Sequence, residues 1–433
     1  MARIGRATRT APGRLRLAGA LLAVVTLAFG TLTAWQVNSR AQAAERVVSY
    51  SQPLSQAAAD IHRSLADADT TAATGFLLAG AEPKAVRERY EQDLATASRL
   101  IAEAAARTTA SSPAQGWLAT LNQQVPVYAG LVESARADNR QGFPLGGAYL
   151  RYASDQMRTV LLPAAAQLSA AENQELADDY AAARSVPWAA YGLGVLALAT
   201  LVWVQVVLYR RTNRVFNIGL LGATAAVLSA VLWLTVAGTG VNSALRDSER
   251  HGAAPLRALN AARVDVLTAR LAENLHFVAR GSSTKYAELW TKTTEHLAAT
   301  DGGSGPAGTL PDALRLAPAD AQAAITDAQQ QYQHWRDRHL AASRLENVDA
   351  DYQGALDATV TVKEADVPGT ADASFNATDQ RLAQAAAELK QFEQAAEGTD
   401  GDLRTAAVAV AVLALAAAAS AVRGLGRRLA EYR

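Results

Sequence analysis

Histidines and carboxylates are the side chains with which this sequence could do chemistry, because the chain of 433 residues contains no cysteine. Six histidines are present, and only His334 and His339 lie close together. Their five-residue spacing places them on different faces of a helix, so a shared metal ion is not expected. The carboxylate pair Asp178 and Asp179 lies in a charged segment beside an apolar run, where solvation explains it.

The motifs of common enzyme classes are also missing from the sequence. It contains no phosphate-binding glycine loop before a helix, no paired-histidine zinc-protease motif and no nucleophile elbow. We therefore expect a protein that is not an enzyme, with no catalytic, cofactor-binding or metal-ligating residues and no resident cofactor.

One short segment is rich in residues that bind partners, namely Tyr332, Trp335, Arg336 and Arg338. Aromatic residues and arginine are enriched at the energetic centres of protein interfaces, so this segment is a candidate partner-binding surface. The alternative is structural. In that case Trp335 belongs to a core, and the arginines extend their aliphatic stems over it towards water.

Two further segments each contain a phenylalanine four residues before a glycine. They are Phe76 with Gly80, and Phe277 with Gly281. One interpretation is that each phenylalanine packs in a core while the glycine ends a helix in the left-handed conformation. The functional interpretation is a conformational bend, at which a bound partner tilts or slides the helix.

The elements that must position these residues are arranged around four apolar runs without Asp, Glu, Lys or Arg. Each run is long enough to cross a hydrocarbon core of roughly 30 Å as a helix, although the last is short and rich in alanine. The runs are residues 17–37, 188–208, 218–241 and 405–422. The sequence therefore predicts a protein embedded in the lipid bilayer by four transmembrane helices.

Basic residues are concentrated in the short segments between and beyond these runs. Residues 1–16, 209–217 and 423–433 contain twelve Lys and Arg against one acidic residue. Residues 38–186 and 242–404 contain 29 Lys and Arg against 40 Asp and Glu. By the positive-inside rule, both termini and the central turn are expected in the cytoplasm of a cell-membrane protein, with the two large segments outside.

The central turn contains Arg210, Arg211 and Arg214. These arginines are explained by the membrane topology and by attraction to anionic lipids. A second interpretation is a docking site for a cytosolic kinase or adaptor, since no large domain is predicted on the cytoplasmic side.

Periodic apolar residues and helix-breaking residues divide the first external segment into four helices. The first ends near Gly80, the second is expected from Lys84 to about Arg107, the third from Ser112 to about Arg140, and the fourth from about Ala148. This order predicts a four-helix bundle whose outer helices continue into the membrane.

The fold class is therefore an all-α membrane protein with four transmembrane helices and two tandem extracytoplasmic four-helix-bundle domains. The predicted segments are the tail 1–16, span 17–37, bundle 38–186, span 187–208, turn 209–217, span 218–241, bundle 242–404, span 405–422 and tail 423–433.

The second half repeats the plan of the first, which indicates an internal duplication. Phe277, Gly281 and Lys285 follow Phe76, Gly80 and Lys84 at an offset of 201 residues. The same offset places the first apolar run on the third.

The first apolar run has a second interpretation as a cleaved signal peptide, because it follows five arginines and precedes Ala41-Gln-Ala43. We expect it to be retained as an anchor, since it exceeds the roughly 7–15 apolar residues of a signal peptide.

The segment around Phe76 to Pro83, followed by Arg87 and Tyr90, resembles the helix break of four-helix-bundle sensor domains in bacterial chemoreceptors and histidine kinases. In those families two membrane helices flank the bundle, as in each half here. They continue into a cytoplasmic signalling module, for which this chain has no counterpart.

The full-length layout of spans and outer segments is similar to the GlnX-like membrane relays of actinobacteria. This resemblance rests on layout and carries over no individual residue. It implies an extracytoplasmic amino-acid-binding lipoprotein of the GlnH type as input and a serine/threonine kinase of the PknG type as output.

The expected function is a non-enzymatic transmembrane sensor that relays an external signal, such as amino-acid availability reported by a solute-binding protein, to a cytosolic signalling protein or kinase. The alternative is a structural scaffold of an envelope or secretion complex. No nucleic-acid partner is expected, and a homodimer is compatible with the sequence. The ligand and the half that senses it are left open.

Overall fold

A computed structural model describes residues 11–78, 82–109, 112–212, 217–280, 283–298, 307–360 and 369–430. These residues contain no β-strand, which confirms the predicted all-α class. Their α-helices are α1 (Ala11–Arg46), α2 (Gln52–Leu77), α3 (Lys84–Arg107), α4 (Ala114–Arg140), α5 (Leu145–Gln156), α6 (Leu162–Ala183), α7 (Trp188–Thr212), α8 (Ile218–Asp247), α9 (Ala254–Val278), α10 (Lys285–Leu297), α11 (Thr309–Leu316), α12 (Ala319–Asn347), α13 (Tyr352–Thr359), α14 (Ala371–Glu393) and α15 (Thr399–Ala430).

The predicted helices of the first half are observed close to their expected ends. α3 begins at Lys84 because Pro83, in the extended conformation, precedes it, and it ends at Arg107 as predicted. α4 ends at Arg140, where Gly142 adopts the left-handed conformation that the turn requires. The fourth helix begins three residues earlier than expected, at Leu145.

Three of the long helices contain a π-helical turn where one α-helix passes directly into the next. The turns are Val47–Ser51 between α1 and α2, Met157–Leu161 between α5 and α6, and Ser248–Ala253 between α8 and α9. Such turns insert extra residues into a helix and are frequent at functional sites. A 3₁₀ turn, Gln394–Ala396, follows α14.

Within the described part of the chain, four helical stretches contain a segment that is apolar and long enough to cross a membrane. They are Leu15–Leu77, Leu145–Arg210, Ile218–Val278 and Ala371–Arg427. Their apolar parts coincide with the four predicted runs, so the chain is a multi-pass membrane protein. The remainder of each stretch carries charged and polar residues.

The chain forms two compact units. The membrane unit comprises the described residues of Met1–Ser49, Ala177–Arg246 and Ala396–Arg433, and the polar helical unit comprises those of Tyr50–Leu176 and Asp247–Ala395. Each unit therefore draws its helices from both halves of the sequence.

Small residues allow close helix packing in the membrane unit. A Cβ atom added at Gly30 of α1 would lie 2.5 Å from the Cβ of Ala414 in α15, and one at Gly219 of α8 would lie 2.5 Å from the Cα of Gly424. The side-chain amide of Asn217 donates to the carbonyl of Gly424 at 3.0 Å. Close approach of this kind is how membrane helices gain packing energy without a hydrophobic driving force.

Polar contacts tie the ends of the membrane helices together. Arg40 of α1 donates to the carbonyl of Ala183 at 3.0 Å and to the side chain of Asn242 at 3.0 Å. Arg46 pairs with Asp179 at 2.9 Å, so this member of the carboxylate pair has a structural role that the sequence did not show.

The polar helical unit has two main apolar cores, and each contains residues from both halves. The first core is built on Ile61, Leu65, Ile101, Leu121 and Tyr128. It also contains four residues of the second half, Leu271, Leu275, Ala279 and Tyr286. The second core surrounds Trp335 and reciprocally contains Ala66 of α2. The sequence predicted two separate bundles and did not anticipate this exchange.

Element boundaries recur between the halves at one constant offset. The π-turns that precede α2 and α9 begin at Val47 and Ser248, the two helices end at Leu77 and Val278, and the next helices begin at Lys84 and Lys285. Each pair differs by 201 residues, the offset found in the sequence. Beyond that point the halves differ, because the second contains the additional short helices α11 and α13.

Candidate functional site

The contact between the halves is carried by α2 and α9. Thr70 donates to the carbonyl of Leu267 at 3.0 Å, and Asn274 donates to the hydroxyl of Thr74 at 2.8 Å. The residues in these two pairs differ by 197 and 200 positions, close to the offset of the repeat. The helices therefore run parallel and nearly in register, so that equivalent turns of the two halves meet.

A network of charged side chains joins four helices of the polar helical unit. Arg89 of α3 contacts Asp67 of α2 at 2.9 Å and Asp379 of α14 at 3.1 Å. Asp379 also lies 3.5 Å from Arg263 of α9. The network thus connects α2 and α3 of the first half to α9 and α14 of the second.

Asp93 of α3 belongs to the same network and is almost completely buried. Burial and the neighbouring Asp67 carboxylate raise the pKa of Asp93 to about 8. Its environment therefore favours the protonated form of Asp93, since two adjacent buried carboxylates do not both ionise easily. Ionisation of Asp93 would change the charge of the network that links the halves.

A cavity of about 340 Å³ lies beside the paired helices. α2, α6 and α9 supply most of its wall, and α14 contributes Glu393. Its polar lining includes Gln56, His62, Arg257 and Asn260. Gln56 and Arg257 are equivalent positions of the two halves, since they differ by the repeat offset of 201.

The first core encloses a polar cluster around Asp69 of α2. This carboxylate is fully buried and accepts hydrogen bonds from the Tyr128 hydroxyl at 3.0 Å and from Ser154 at 2.8 Å. Burial raises the pKa of Asp69 to about 6. The cluster fixes α4 and α5 on α2 through one side chain.

The second core encloses a charged cluster around Arg270 of α9, which is fully buried. Arg270 pairs with Glu273 at 2.5 Å and with Asp372 at 2.8 Å. Glu273 accepts a hydrogen bond from the Trp335 indole at 3.0 Å and lies 2.9 Å from the Nδ1 atom of His339. Burial opposes ionisation of Glu273, but Arg270 and these hydrogen bonds outweigh it and lower the pKa of Glu273.

The predicted partner-binding segment lies in this second core. Trp335 and Tyr332 are completely buried, and Arg336 is half-buried. Arg338 donates to the carbonyl of Thr370 at 2.8 Å and also contacts Ser374. This placement is the structural alternative given above, because a partner cannot reach Trp335 without opening the core.

The two predicted bends are described only in part, since Gly80 and Gly281 lie outside the described residues. Phe76 packs against the first core, and the buried Phe277 contacts Leu77 in a small third cluster. The left-handed residue after α9 is Arg280, with φ of 49°. Arg280 thus occupies the conformation that the sequence assigned to the glycine after it.

The central turn is also described in part. Arg210 is exposed at the end of α7. The side chain of Arg211 and all of Arg214 lie outside the described residues.

Sequence reasoning overlooked the residues at the contact between the halves. Arg257 and Gln56 occupy equivalent positions, as do Arg270 and Asp69, so the offset itself could have identified them. A further signal was the presence of Asp67 and Asp69 in the middle of an amphipathic helix. The described residues contain no group of three metal-ligating side chains able to hold a metal ion.

Residues 43–181 match the family model of the actinobacterial sensor domain. This segment begins near the end of α1 and ends within α6, so it covers the helices of the first half. No curated protein and no solved structure matches the chain. The similarity supports a sensing role for an actinobacterial membrane protein.

Proposed function

We propose that this protein is a non-enzymatic transmembrane sensor that relays an extracytoplasmic signal to a cytosolic partner. The observation that carries the proposal is helix continuity. α1 passes into α2, and α8 into α9, without a break in the helical backbone, and each passage is a π-turn. The similarity of residues 43–181 to the actinobacterial sensor domain supports the sensing part of the proposal.

A relay requires two arrangements of the helices, and the signal must stabilise one arrangement more than the other. The parallel pair α2 and α9 is suited to this role, because both helices lead directly from membrane helices and both touch polar groups of the other half. A signal that shifts one helix of the pair along the other would displace the attached membrane helix. We attribute the recurrent element boundaries to an internal duplication that produced this pair.

The polar helical unit is proposed to lie outside the cell, with both termini and the central turn in the cytoplasm. The charge distribution of the sequence supports this topology. Introduced cysteines test it, since the chain has none of its own. Tyr152→Cys in intact cells should react with a membrane-impermeant maleimide, whereas Arg210→Cys should react only after permeabilisation. The reverse pattern would contradict the topology.

The proposed input is a solute-binding lipoprotein that reports amino-acid supply, and the proposed output is a serine/threonine kinase. The resemblance to GlnX-like relays supports both partners. Exposed apolar side chains of α5 and the turn before it offer an accessible contact surface, in particular Phe143, Leu145 and Tyr152. Arg210 and its neighbours in the central turn offer a contact on the other side.

Photo-crosslinking in cells tests the relay. A photoreactive residue in place of Tyr152 should capture a partner in a manner that changes with amino-acid supply, and one in place of Arg210 should respond in parallel. The triple variant R210A/R211A/R214A should lose the cytosolic contact and retain the outer one. Crosslinks that are identical with and without amino acids would instead support the structural scaffold.

A further inference from the structure

The cavity beside α2 and α9 contains polar groups that the chain itself does not satisfy. Arg257 and Asn260 are three residues apart on α9, and both line the cavity together with His62 of α2. None of the three makes a hydrogen bond or an ion pair with the described residues. They differ in this respect from most charged side chains of α2 and α9, which take part in the charged network and the buried clusters described above.

The unsatisfied groups are mainly hydrogen-bond donors. Arg257 has five N–H donors in a planar fork, and Asn260 adds an amide. Burial lowers the pKa of His62 to about 4, so its imidazole is neutral at physiological pH and has one donor and one acceptor. Donors in this arrangement match the two oxygens of a carboxylate, which an arginine fork binds through two parallel hydrogen bonds.

The cavity also contains a hydrogen-bond acceptor. This is Glu393 of α14, a buried carboxylate that lines the same cavity. Its carboxylate accepts hydrogen bonds from the side chains of Gln52 and Gln56. A carboxylate can accept several hydrogen bonds, so Glu393 retains acceptor capacity for a ligand. The other acid of the lining, Asp265, already accepts from Thr309 at 2.7 Å and contacts His296 at 2.9 Å.

We propose that this cavity binds a small organic carboxylate that also carries a hydrogen-bond donor, such as a hydroxyl or an ammonium group. The carboxylate lies against Arg257 and Asn260, and the donor points towards Glu393. A volume of about 340 Å³ lies at the lower end of the range for ligand pockets, which suits a small metabolite.

The position of the cavity connects it to a π-turn. Ala253, the last residue of the turn Ser248–Ala253, lines the cavity. Ser248 donates to the carbonyl of Glu393 at 3.0 Å, and a Cβ atom added at Gly252 would lie 2.9 Å from the backbone nitrogen of Glu393. A ligand held by Glu393 therefore acts on the turn that leads from α8 into α9. This consequence rests on the proposed sensor function, whereas binding itself does not.

Calorimetric titration of the full-length protein in lipid nanodiscs tests the site with four probes: malate, glutamate, succinate and inorganic phosphate. Malate and glutamate carry both groups and should bind. Succinate lacks the donor and should bind more weakly, and phosphate should not compete. Failure of all four probes to bind would overturn the site, and phosphate binding as tightly as malate would overturn the carboxylate assignment.

Variants show whether binding occurs in this cavity. R257Q should weaken malate and glutamate binding about tenfold or more, the expected effect of losing a charge-assisted bidentate contact. R257K keeps the charge without the fork and should be intermediate, so a folding defect of one variant does not decide the result. The matched control is R99Q, an exposed arginine of α3 paired with Glu103, and it should bind as the wild type does. Unchanged affinity in R257Q and R257K would overturn the proposal.

The two proposals fail separately. If R257Q loses malate binding but the crosslinks do not change with the ligand, the binding site is supported and the relay is contradicted. If the crosslinks respond to amino-acid supply but no probe binds, the relay is supported and the binding site is overturned.

Discussion

At the scale of single residues, the polar helical unit places several ionisable groups where solvent cannot reach them. Asp69, Arg270 and Glu273 are completely buried, and Asp93 nearly so. Burying a charge is costly unless it is paired and hydrogen-bonded, so each of these groups depends on a small set of neighbours. Their effects on stability can be tested one residue at a time.

Asp93 should make the stability of the protein depend on pH. Its pKa rises from an ordinary value of 3.8 to about 8 in the folded protein. Between these values the unfolded chain releases a proton that the folded protein retains, so Asp93 favours folding at low pH and loses that contribution as pH rises. D93N should flatten this dependence and be more stable than the wild type at pH 8, by on the order of 1–3 kcal/mol.

Thermal unfolding in nanodiscs from pH 5 to pH 8 measures this difference. E103Q, a variant of an exposed carboxylate on the same helix, is the control and should keep the pH dependence of the wild type. Parallel pH profiles for D93N and the wild type would contradict the assigned pKa of Asp93.

Removal of Arg270 should be strongly destabilising. R270M leaves the buried carboxylate of Glu273 and the half-buried carboxylate of Asp372 without the cation that pairs with both. Breaking a buried ion pair typically costs about 3–5 kcal/mol. Circular dichroism during chemical unfolding measures the loss. R315M removes an exposed arginine paired with Asp312 and should change stability by less than about 0.5 kcal/mol. An equal effect of the two substitutions would show that the cluster does not stabilise the core.

At the scale of elements, the important features are the π-turns between long helices. The turns preceding α2 and α9 begin 201 residues apart, as do the helices that follow α2 and α9. A π-turn interrupts the regular hydrogen-bond pattern of an α-helix, so contacts with neighbouring groups must hold the turn in place. In the second half, α14 makes such contacts through Glu393.

Gly252→Ala should disturb the second of these turns. The added methyl would lie 2.8 Å from the Cγ and 2.9 Å from the backbone nitrogen of Glu393, so the π-turn and α14 must separate. Overpacking of this kind typically costs about 1–3 kcal/mol. The variant should unfold at lower temperature and, if the relay is correct, alter the crosslinks of the central turn.

The matched control for this prediction is Gly130→Ala. Gly130 lies inside α4, and apart from its adjacent residues and the backbone of its own helix no atom lies within 4 Å of an added Cβ there. This substitution should leave stability unchanged or raise it slightly, because alanine favours helix. A Gly252→Ala protein as stable as Gly130→Ala would indicate that the contact with Glu393 is not tight.

At the scale of the whole molecule, the sequence halves are combined within each unit. The membrane unit takes helices from both halves, and so does the polar helical unit. In the polar helical unit the first core contains leucines of α9, and the second contains Ala66 of α2. Neither half therefore completes its own core, and we expect the two to fold cooperatively.

An introduced disulfide tests the register of the two halves. The side chains of Thr74 and Asn274 touch at 2.8 Å, so a T74C/N274C protein should form an intramolecular disulfide on mild oxidation. Loss of reactive thiols measures bond formation. The T74C/R257C pair lies about five helical turns out of register and should stay reduced. Equal oxidation of both pairs would show that the helices do not keep a fixed register.

The local composition of the chain determined the helical class, the four apolar helices and several helix ends. These properties depend on nearby residues, such as Pro83 before α3 and the charge-free run in α7, and can therefore be read without a structure. The repeat offset was visible for the same reason, since Phe76 and Phe277 lie in similar local sequences.

Only the tertiary structure decided which residues of the two halves meet. An amphipathic pattern shows that a helix has an apolar face, but the neighbour that covers this face depends on packing across about 200 residues of chain. Trp335 shows the difference. Its sequence neighbourhood suited both a partner surface and a core, and the buried carboxylate of Glu273, which accepts its indole N–H, places it in the core. The cavity beside Arg257 likewise exists only because α2 and α9 pair in register.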